Sequence, residues 1–432
     1  MGVSMNYDTC IRNERLRRME AMKHFEVAVV GAGLAGSIAA LALARGGRSV
    51  ALVAPEREIV DQRTTALMEQ SIRFMERLGL WDEIRPSAEA LSTMQIIDGT
   101  KRLLRAPVVA FRSAEIGLDA FGYNIPNEAL ITVLKKAVAA ENNITAIAGA
   151  AERIGIGGDR VAITLEDGEE VTADFVVGAD GRGSKTRESA GVAVRKWSYP
   201  QTAVVLNFRH TLPHRNVSTE FHGESGPFTQ VPLPGQRSSL VWVVEPAEAT
   251  RLTSLSLEAL SGEVERRMQS MLGKVTVEDG VQAWPLSSMT AVRFGKGRAA
   301  FIGEAAHAFP PIGAQGLNLS LRDVMALVEI LCSQADRPID SRAGDSFDRR
   351  RRIDVVSRTA SVDLLNRSLL SDFLPVQVLR TAGLHVLSGF GPLRQLVMRE
   401  GVEPGRGFSA LPLFLKERLG IRGRGRAAED RS

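Results

Sequence analysis

The sequence predicts an α/β protein with three parts: a domain built on a βαβ unit, a second domain that is a β-sheet, and a helical C-terminal region. An apolar strand, a glycine turn and a helix follow one another within residues 27–45. Strand-like segments punctuated by prolines come after residue 192, and helical periodicity dominates the last hundred residues. With 432 residues, 44% hydrophobic and 24% charged, the chain is long enough to bury a sizeable core.

Composition narrows the class of protein. Lysine and arginine number 54 and aspartate and glutamate 50, which gives a net charge of +4. No basic stripe is interleaved with aromatic residues, so we expect no nucleic-acid partner. Two cysteines, Cys10 and Cys332, are too few for a disulfide framework and indicate a reducing, cytoplasmic compartment. Residues 1–21 are polar and lack the apolar core of a secretory signal, so we expect a loose extension before the fold begins near Met22.

The opening of the fold is predicted to be a βαβ unit. Residues 27–30 form a short apolar strand, residues 37–45 continue a helix, and residues 49–53 form a second strand. Residues 27–44 carry no charge, a length that approaches a membrane span. They contain three glycines and are rich in alanine, so the pattern favours a strand followed by a buried helix.

Three glycines stand between the first strand and the helix. Gly31 permits a tight turn, Gly33 lets the backbone approach a pyrophosphate, and Gly36 permits close packing of helix on strand. In this context the pattern predicts dinucleotide binding rather than a structural turn alone. The second strand ends without the acidic residue that usually contacts the ribose. That contact would come from Glu56 or from Arg63, or would be lost.

Further elements follow along the first domain. The spacing of apolar residues predicts a helix over 64–78, with Gly79 as its C-terminal cap. Asn127 is expected to be the N-cap of a helix that ends near residue 140. Residues 152–177 alternate in polarity around two glycine turns, which predicts a β-meander.

The second region is predicted to be an antiparallel sheet. Its strand-like segments are residues 204–209, 218–222 and 239–244. Residues 298–302 return to the character of a buried strand, and a helix with one apolar face runs from Leu317.

These elements define the expected domains. Residues 22–191 and 285–345 would form one discontinuous domain, and residues 192–284 the second. Residues 346–415 would be a helical region, and residues 416–432 a disordered Gly/Arg tail.

Two further segments share a pattern with the first glycine turn. In residues 177–187 a strand ends in a glycine-rich loop with Asp180 and opens a short helix. In residues 302–318 a buried strand ends in glycine and Glu304, and a Pro/Gly loop then leads into a helix N-terminus. Three such segments in this order are far more specific than any one of them.

Together these segments resemble the flavin-dependent aromatic hydroxylases built on the p-hydroxybenzoate hydroxylase fold. The residues of these motifs are most similar to those of the ubiquinone-biosynthesis hydroxylase family of FAD-dependent aromatic monooxygenases. The matching segments are Arg63-Thr64-Thr65-Ala66-Leu67, Leu78-Gly79-Leu80-Trp81, His307, Pro310 to Leu319, Arg322-Asp323 and Asp363-Leu364-Leu365-Asn366-Arg367. The resemblance covers nearly the whole chain after Met22. It implies a Rossmann-like FAD-binding domain, a β-sheet substrate domain and C-terminal helices.

The resemblance also implies roles for individual residues, with FAD bound noncovalently. Arg63 would reach the phosphate–ribose region, and Asp180 would lie between the pyrophosphate and an approaching NAD(P)H. Glu304 replaces the usual aspartate at the ribityl chain and is one methylene longer. The segment that would lie against the flavin ring supplies the candidate catalytic residues Pro311, Gly313 and Gln315. The implied cofactor-binding residues are Gly31, Gly33, Gly36, Arg63, Asp180, Glu304, Gly316, Leu317 and Asn318.

The implied reaction is hydroxylation of an aromatic ring with O₂ and NAD(P)H, on a polyprenylated phenol of ubiquinone biosynthesis. Such a lipophilic phenol suggests peripheral contact with the inner membrane, or a partner complex for ubiquinone biosynthesis; the oligomeric state is not legible. Two alternatives stay open. One is a flavoenzyme of the same fold that acts on another aromatic or isoprenoid substrate. The other is a non-catalytic flavin-binding subunit of a biosynthetic complex.

The remaining candidates have simpler explanations. A metal site drawn from three histidines and Glu220 lacks ligand-spaced cysteines, so we expect no metal. His307 is expected to be a structural hydrogen bonder rather than a base, and Cys332 a small packing residue. Arg349 to Arg352 are expected to form a solvated helix face, and two aromatic residues to lie in the core. The histidines are His210, His214 and His222, and the aromatic residues are Phe221 and Trp242.

Overall fold

A computed structural model describes residues 23–56, 61–99, 108–223, 225–310 and 315–370, together with positions 395 and 398. Side chains are described for these residues except 315 and 357–370. The predicted extension, the tail and, apart from those two positions, the helical region beyond residue 370 lie outside the described residues.

The strands contribute to three sheets. In chain order they are β1 (Lys23–Val30), β2 (Val50–Ala54), β3 (Thr64–Met68), β4 (Glu89–Ala90), β5 (Thr93–Asp98), β6 (Val109–Arg112), β7 (Gly122–Pro126), β8 (Ile144–Ala148), β9 (Ala151–Gly155), β10 (Val161–Leu165), β11 (Glu170–Gly178), β12 (Val194–His210), β13 (Val217–His222), β14 (Pro227–Leu233), β15 (Arg237–Val244), β16 (Val275–Val277), β17 (Gln282–Ala291), β18 (Gly295–Lys296), β19 (Ala299–Phe301) and β20 (His307–Ala308).

The helices are shorter in total and cover the sheets. In chain order they are α1 (Leu34–Arg45), α2 (Glu69–Arg77), α3 (Trp81–Ile84), α4 (Asn127–Ala140), α5 (Lys185–Ser189), α6 (Pro246–Thr253), α7 (Leu257–Arg267), α8 (Gln315–Leu331) and α9 (Ala343–Leu370). Short 3₁₀ turns occur at Arg85–Ser87, Ser113–Ile116 and Gly303–Ala305.

The first sheet has a parallel core in the order β19-β11-β1-β2-β8. β2, β19 and the second half of β1 are buried apolar runs, as expected for strands of a covered parallel sheet. β9 and β10 add an antiparallel extension beside β11, which confirms the predicted meander. The carboxyl ends of β1, β11 and β19 are neighbours, so the turns that follow them meet at one edge.

The predicted βαβ unit is confirmed. β1 pairs in parallel with β2, and α1 connects them. α1 is rich in alanine and buried along most of its length, so it packs closely on the sheet and beside α8. The uncharged stretch 27–44 is therefore a strand and a helix. Across the described residues, no helix is long and apolar enough to cross a membrane.

Two local predictions were wrong. Residues 64–78 do not form one helix, because 64–68 is strand β3, paired antiparallel with β7. Thr64 and Thr65 are β-branched and suit a strand, but the partner strand is distant in sequence and the local pattern does not reveal it. Gly79 does follow α2 in the left-handed region, with φ +60°, as predicted.

Asn127 is the first residue of α4 rather than its N-cap, which is Pro126. The Asn127 amide instead accepts a hydrogen bond from Thr65 Oγ1 at 2.6 Å and donates to Asp61 Oδ2 at 2.9 Å. The Asn127 side chain therefore binds residues distant in sequence instead of capping the N-terminus of α4.

The second sheet confirms the predicted antiparallel strands and extends beyond them. Its order is β20-β17-β12-β15-β14-β13-β5-β6, with β16 beside β12. It takes β5 and β6 from the region before residue 192, and β20 from after residue 285. The predicted domain bounds themselves stay a prediction.

One face of the second sheet is covered by α6 and α7, and the other looks toward the first domain. Phe221 and Trp242 lie in the core beneath those helices, as predicted. On the other face, Ser239 Oγ accepts a hydrogen bond from Thr64 Oγ1 at 3.0 Å, which joins the sheet to β3. β3 therefore lies between the second sheet and α8, whose Asn318 binds it.

Candidate functional site

The glycine turn after β1 leaves an open cradle. Gly31 has φ +106°, and a Cβ on it would overlap the Ala179 carbonyl; one on Gly36 would overlap the Gly31 carbonyl. A Cβ on Gly33 would meet nothing within 4 Å. Gly33 is also the N-cap of α1, whose first turn has no side-chain cap. The backbone N–H groups of that turn thus face free space and suit an anion.

Asp180 lies beside this cradle, but its carboxylate is already engaged. Ala179 N donates to Val30 O at 2.8 Å, which brings the second motif against the first. The Asp180 carboxylate accepts from Ser184 Oγ at 2.5 Å and from both the N–H and the hydroxyl of Thr186 at 3.0 Å. Its side chain therefore shapes the loop and the start of α5.

Arg187 connects the second and third motifs, a contact the sequence reasoning missed. Its side chain is 2% exposed and donates to Ala305 O at 2.7 Å and to Arg182 O at 3.1 Å. A buried guanidinium that binds two loop carbonyls fixes the loops relative to each other. The arginine that ends the second motif was the available signal.

Glu304 lies in the turn after β19 and is exposed. Arg182 faces it, with Nη2 3.3 Å from Glu304 Oε1. The two side chains are 49% and 55% exposed, so this pair adds little to stability and its groups are accessible to a ligand.

Arg63 is held by Asp61 in a bidentate pair with two N–O distances of 2.7 Å. The hydrogen bonds that Arg63 donates to the Asp61 carboxylate raise the pKa of Arg63. Burial by itself would raise the pKa of Asp61, but the hydrogen bonds from Arg63 and Asn127 outweigh it and lower that pKa. The Arg63 guanidinium also lies 5.7 Å from the centroid of the Trp284 ring. Arg63 is thus positioned at the border of the two sheets.

Asn318 anchors the first turn of α8. Its Oδ1 accepts from Met68 N at 2.9 Å and from Ser71 Oγ at 2.7 Å, and its Nδ2 donates to Ala66 O at 2.7 Å. Gly316 and Leu317 lie in the same turn. Since the side chain of Asn318 serves β3 and α2, its own contribution to a ligand would come from its backbone.

A buried charge cluster, defined here as His307, Asp323 and Arg351, lies behind the turn after β19. His307 Nε2 is 2.7 Å from Asp323 Oδ2, and Arg351 Nε donates to Asp323 Oδ1 at 2.7 Å. Burial would raise the pKa of Asp323, but His307 and Arg351 together lower it. His307 is a structural hydrogen bonder, as predicted.

The arginine run was only partly understood from the sequence. Arg349, Arg350 and Arg352 are exposed on α9, as expected for a solvated face, whereas Arg351 is 4% exposed. The prediction was wrong for Arg351, because helical periodicity turns one residue of four toward α8, where Asp323 supplies a counter-charge.

The remaining candidates are resolved by packing. His210 and His214 bind backbone carbonyls, whereas His222 binds Glu220. No group of three metal-binding side chains occurs among the residues that the structure covers. Cys332 packs at the end of α8, and burial raises the pKa of its thiol.

The side chains of the three candidate catalytic residues are not among those that the structure describes. Pro311 and Gly313 lie outside the described residues, and only the backbone of Gln315, the first residue of α8, is described.

The cradle at Gly33 fits a dinucleotide, because it combines space for a pyrophosphate with unpartnered N–H groups. The sequence model of the family described as the FAD binding domain matches residues 24–354, and the chain belongs to that family. The protein is therefore an FAD-binding flavoprotein.

Its relatives narrow the class further. The chain is 34% identical over 413 residues to ubiquinone hydroxylase UbiL of Rhodospirillum rubrum. This alignment covers 91% of this chain and 94% of that protein. It is 27% identical over 393 residues to 3-demethoxyubiquinol 3-hydroxylase of Escherichia coli, at 87% and 97% coverage. The predicted membership of the ubiquinone-biosynthesis hydroxylase family is confirmed.

Solved structures confirm the predicted fold. p-Nitrophenol 4-monooxygenase PnpA from Pseudomonas putida superposes with a TM-score of 0.73 at 20% identity, and covers 89% of this chain and 100% of that one. PqsL from Pseudomonas aeruginosa, described as a probable FAD-dependent monooxygenase, gives a TM-score of 0.70 at 22% identity, with 84% and 100% coverage.

Proposed function

We propose that this protein is an FAD-dependent monooxygenase that hydroxylates the ring of a polyprenylated phenol in ubiquinone biosynthesis, with NAD(P)H and O₂ as co-substrates. The observation that carries the proposal is the open cradle at Gly33 in a chain whose curated relatives are named ubiquinone hydroxylases. When bound, FAD supplies the redox chemistry, taking reducing equivalents from NAD(P)H and passing one oxygen atom of O₂ to an electron-rich ring.

The protein's own part is to bind, orient and exclude water. The N-terminus of α1 at Gly33 binds the pyrophosphate, while Gly31 and Gly36 permit the close approach of strand and helix. The family resemblance assigns Arg63, which Asp61 holds in place, to the phosphate–ribose region. Arg182 and Glu304 present accessible polar groups at the same edge.

Asp180 acts through its backbone and loop, because its carboxylate is engaged with Ser184 and Thr186. The N-terminal turn of α8, with Gly316, Leu317 and Asn318, would stabilise negative charge on the flavin through its backbone N–H groups. We keep Pro311, Gly313 and Gln315 as the segment that lines the ring.

Labelled oxygen tests the reaction. With ¹⁸O₂, NAD(P)H and a prenylated phenol, the product hydroxyl should carry the label. Label from water would contradict a monooxygenase, and FAD binding without NAD(P)H oxidation would identify a non-catalytic subunit. Acid precipitation of the yellow protein should release the flavin into the supernatant, because the proposed link is noncovalent.

The lipophilic substrate leads us to propose a cytoplasmic protein that approaches the inner membrane or a biosynthetic complex. Co-flotation with liposomes tests the membrane arm of this proposal, and protein that stays at the bottom of the gradient would contradict it.

A further inference from the structure

The second sheet has one closed face and one open face. The register across β13, β14, β15 and β12 places four half-buried side chains in one row on the open face: Glu220, Thr229, Val241 and Val205. The adjacent row on the opposite face is buried beneath α6 and α7 and consists of Thr219, Gln230, Leu240 and Leu206. The first row is therefore accessible to a ligand and the second is not, although Ala203 and Val243, next to the first row on the same face, are buried.

The open face looks into the proposed flavin region. Ser239 lies two residues before Val241 on β15, so the two side chains share a face. Thr64 Oγ1 donates to Ser239 Oγ, and β3 is in turn held by Asn318 of α8. The open row thus lies over the space bordered by β3 and the first turn of α8.

A polar cluster lies at one end of this row. Glu220 Oε1 is 2.7 Å from His222 Nε2, and Glu220 Oε2 accepts from Thr229 Oγ1 at 3.2 Å. The two side chains lie on the same face of β13, where that of Glu220 is 24% exposed and that of His222 is 10% exposed, so the carboxylate is the more accessible of the two. Asp98 is opposite His222 on β5.

The surroundings of Glu220 suit an amphipathic phenol. Ile96 is its register neighbour on β5, and Val241 and Val205 continue the row on the other side of Thr229. The cationic side chains Arg209 and Arg237 on this face pair with Glu278 instead.

We infer that the Glu220 carboxylate accepts the hydroxyl hydrogen of the phenolic substrate, and that His222 and Thr229 position this carboxylate. This inference rests on the proposed function. The phenol O–H bond breaks, its electron pair stays on the phenolate oxygen, and the proton passes to the Glu220–His222 pair. The pair thereby gains one unit of positive charge, which balances the negative charge left on the phenolate. A phenolate is the more electron-rich ring, so this step favours hydroxylation.

The test compares a phenol with its methyl ether, which has no hydroxyl hydrogen to donate. The FAD-loaded protein is titrated with 2-prenylphenol and with 2-prenylanisole, and the perturbation of flavin absorbance gives each Kd. Wild-type protein should prefer the phenol by about tenfold or more, as expected for a hydrogen bond to a charged acceptor. Glu220→Gln should abolish most of that preference, and His222→Gln should reduce it.

The control removes a different carboxylate from the same layer. Glu278→Gln should keep the wild-type preference for the phenol. Bound flavin and the unfolding midpoint are measured for every variant, and His222→Gln serves alone if Glu220→Gln does not fold. An unchanged preference in the folded variants would overturn the inference while leaving the proposed function intact. If wild-type protein bound neither compound, the inference and the proposed function would both fall.

Discussion

Two groups of charged residues border the segment that joins β19 to α8, and they differ in exposure. The buried charge cluster lies behind the segment, where the side chains of His307, Asp323 and Arg351 are 1%, 2% and 5% exposed. In front lies an exposed pair, Arg182 and Glu304, each about half exposed.

The difference separates structure from binding. Charges inside the cluster have no access to a ligand, and removing one partner would leave another buried and uncompensated. The exposed pair contributes little to folding, and its polar groups stay available beside the cradle at Gly33. Residues of the same chemical type are therefore buried and structural on one side of the segment and exposed on the other.

Loss of Arg351 should have the largest effect on stability. Arg351→Met leaves the Asp323 carboxylate without its guanidinium partner, which should lower the free energy of unfolding by about 3–5 kcal/mol. Arg350→Met is the matched control, because the adjacent Arg350 pairs with Glu329 on the surface and should matter by less than about 1 kcal/mol. Urea denaturation measures both variants. Similar losses in the two would remove the distinction between the cluster and the surface.

At the cradle we expect the opposite behaviour, a binding defect without a folding defect. Gly33→Val should weaken FAD binding by about a hundredfold or more, roughly 3 kcal/mol, because its side chain would occupy the pyrophosphate space. The apoprotein should fold normally, since a Cβ there meets nothing within 4 Å and the backbone is extended. Gly262→Val, at an open position on α7, controls for the added side chain. Equal FAD titrations for wild type and Gly33→Val would refute the cradle.

We expect the smallest losses of folding stability when one carboxylate is replaced by an amide, in the buried charge cluster or in the exposed pair. The loss in the cluster should also depend on pH. Asp323→Asn should destabilise the protein by about 2 kcal/mol at pH 7, and Glu304→Gln by less than about 1 kcal/mol. The folded-state pKa of Asp323 is lowered, so its contribution is complete above its ordinary value near 4 and is lost as the pH falls through the lowered pKa. The gap between wild type and Asp323→Asn should therefore narrow below about pH 4 in urea titrations. A constant gap would contradict the charged role of Asp323.

The elements predicted best were those with a strong local pattern. The apolar strand and glycine turn of β1 and α1 lie as predicted, because a turn with φ > 0 and a buried parallel strand each require particular residue types. The prediction of a helix over 64–78 was wrong for residues 64–68, because these residues form β3, which pairs with β7 far away in the sequence.

The candidate site divides in the same way. Gly31 and Gly36 were predictable from the sequence because a Cβ at either position would overlap backbone atoms. Gly33 was predictable for another reason: its place in the motif leaves room for a pyrophosphate. The sequence predicted Asp180 and Asn318 as cofactor-binding residues. The structure shows that both side chains bind neighbouring loops and strands, and the cofactor role of the two residues stays a prediction.

The sequence by itself determined the glycine cradle and the antiparallel strands of the second domain, because these depend on local geometry and on residue spacing, and its motifs identified the flavoprotein family by resemblance. Only the tertiary structure decided which arginine of the run is buried, which carbonyls Arg187 binds, and that Glu220 and His222 share a face open toward β3. Those facts depend on contacts between segments far apart in the chain. A side chain's partner across such a contact is set by packing and strand register, which no local pattern encodes.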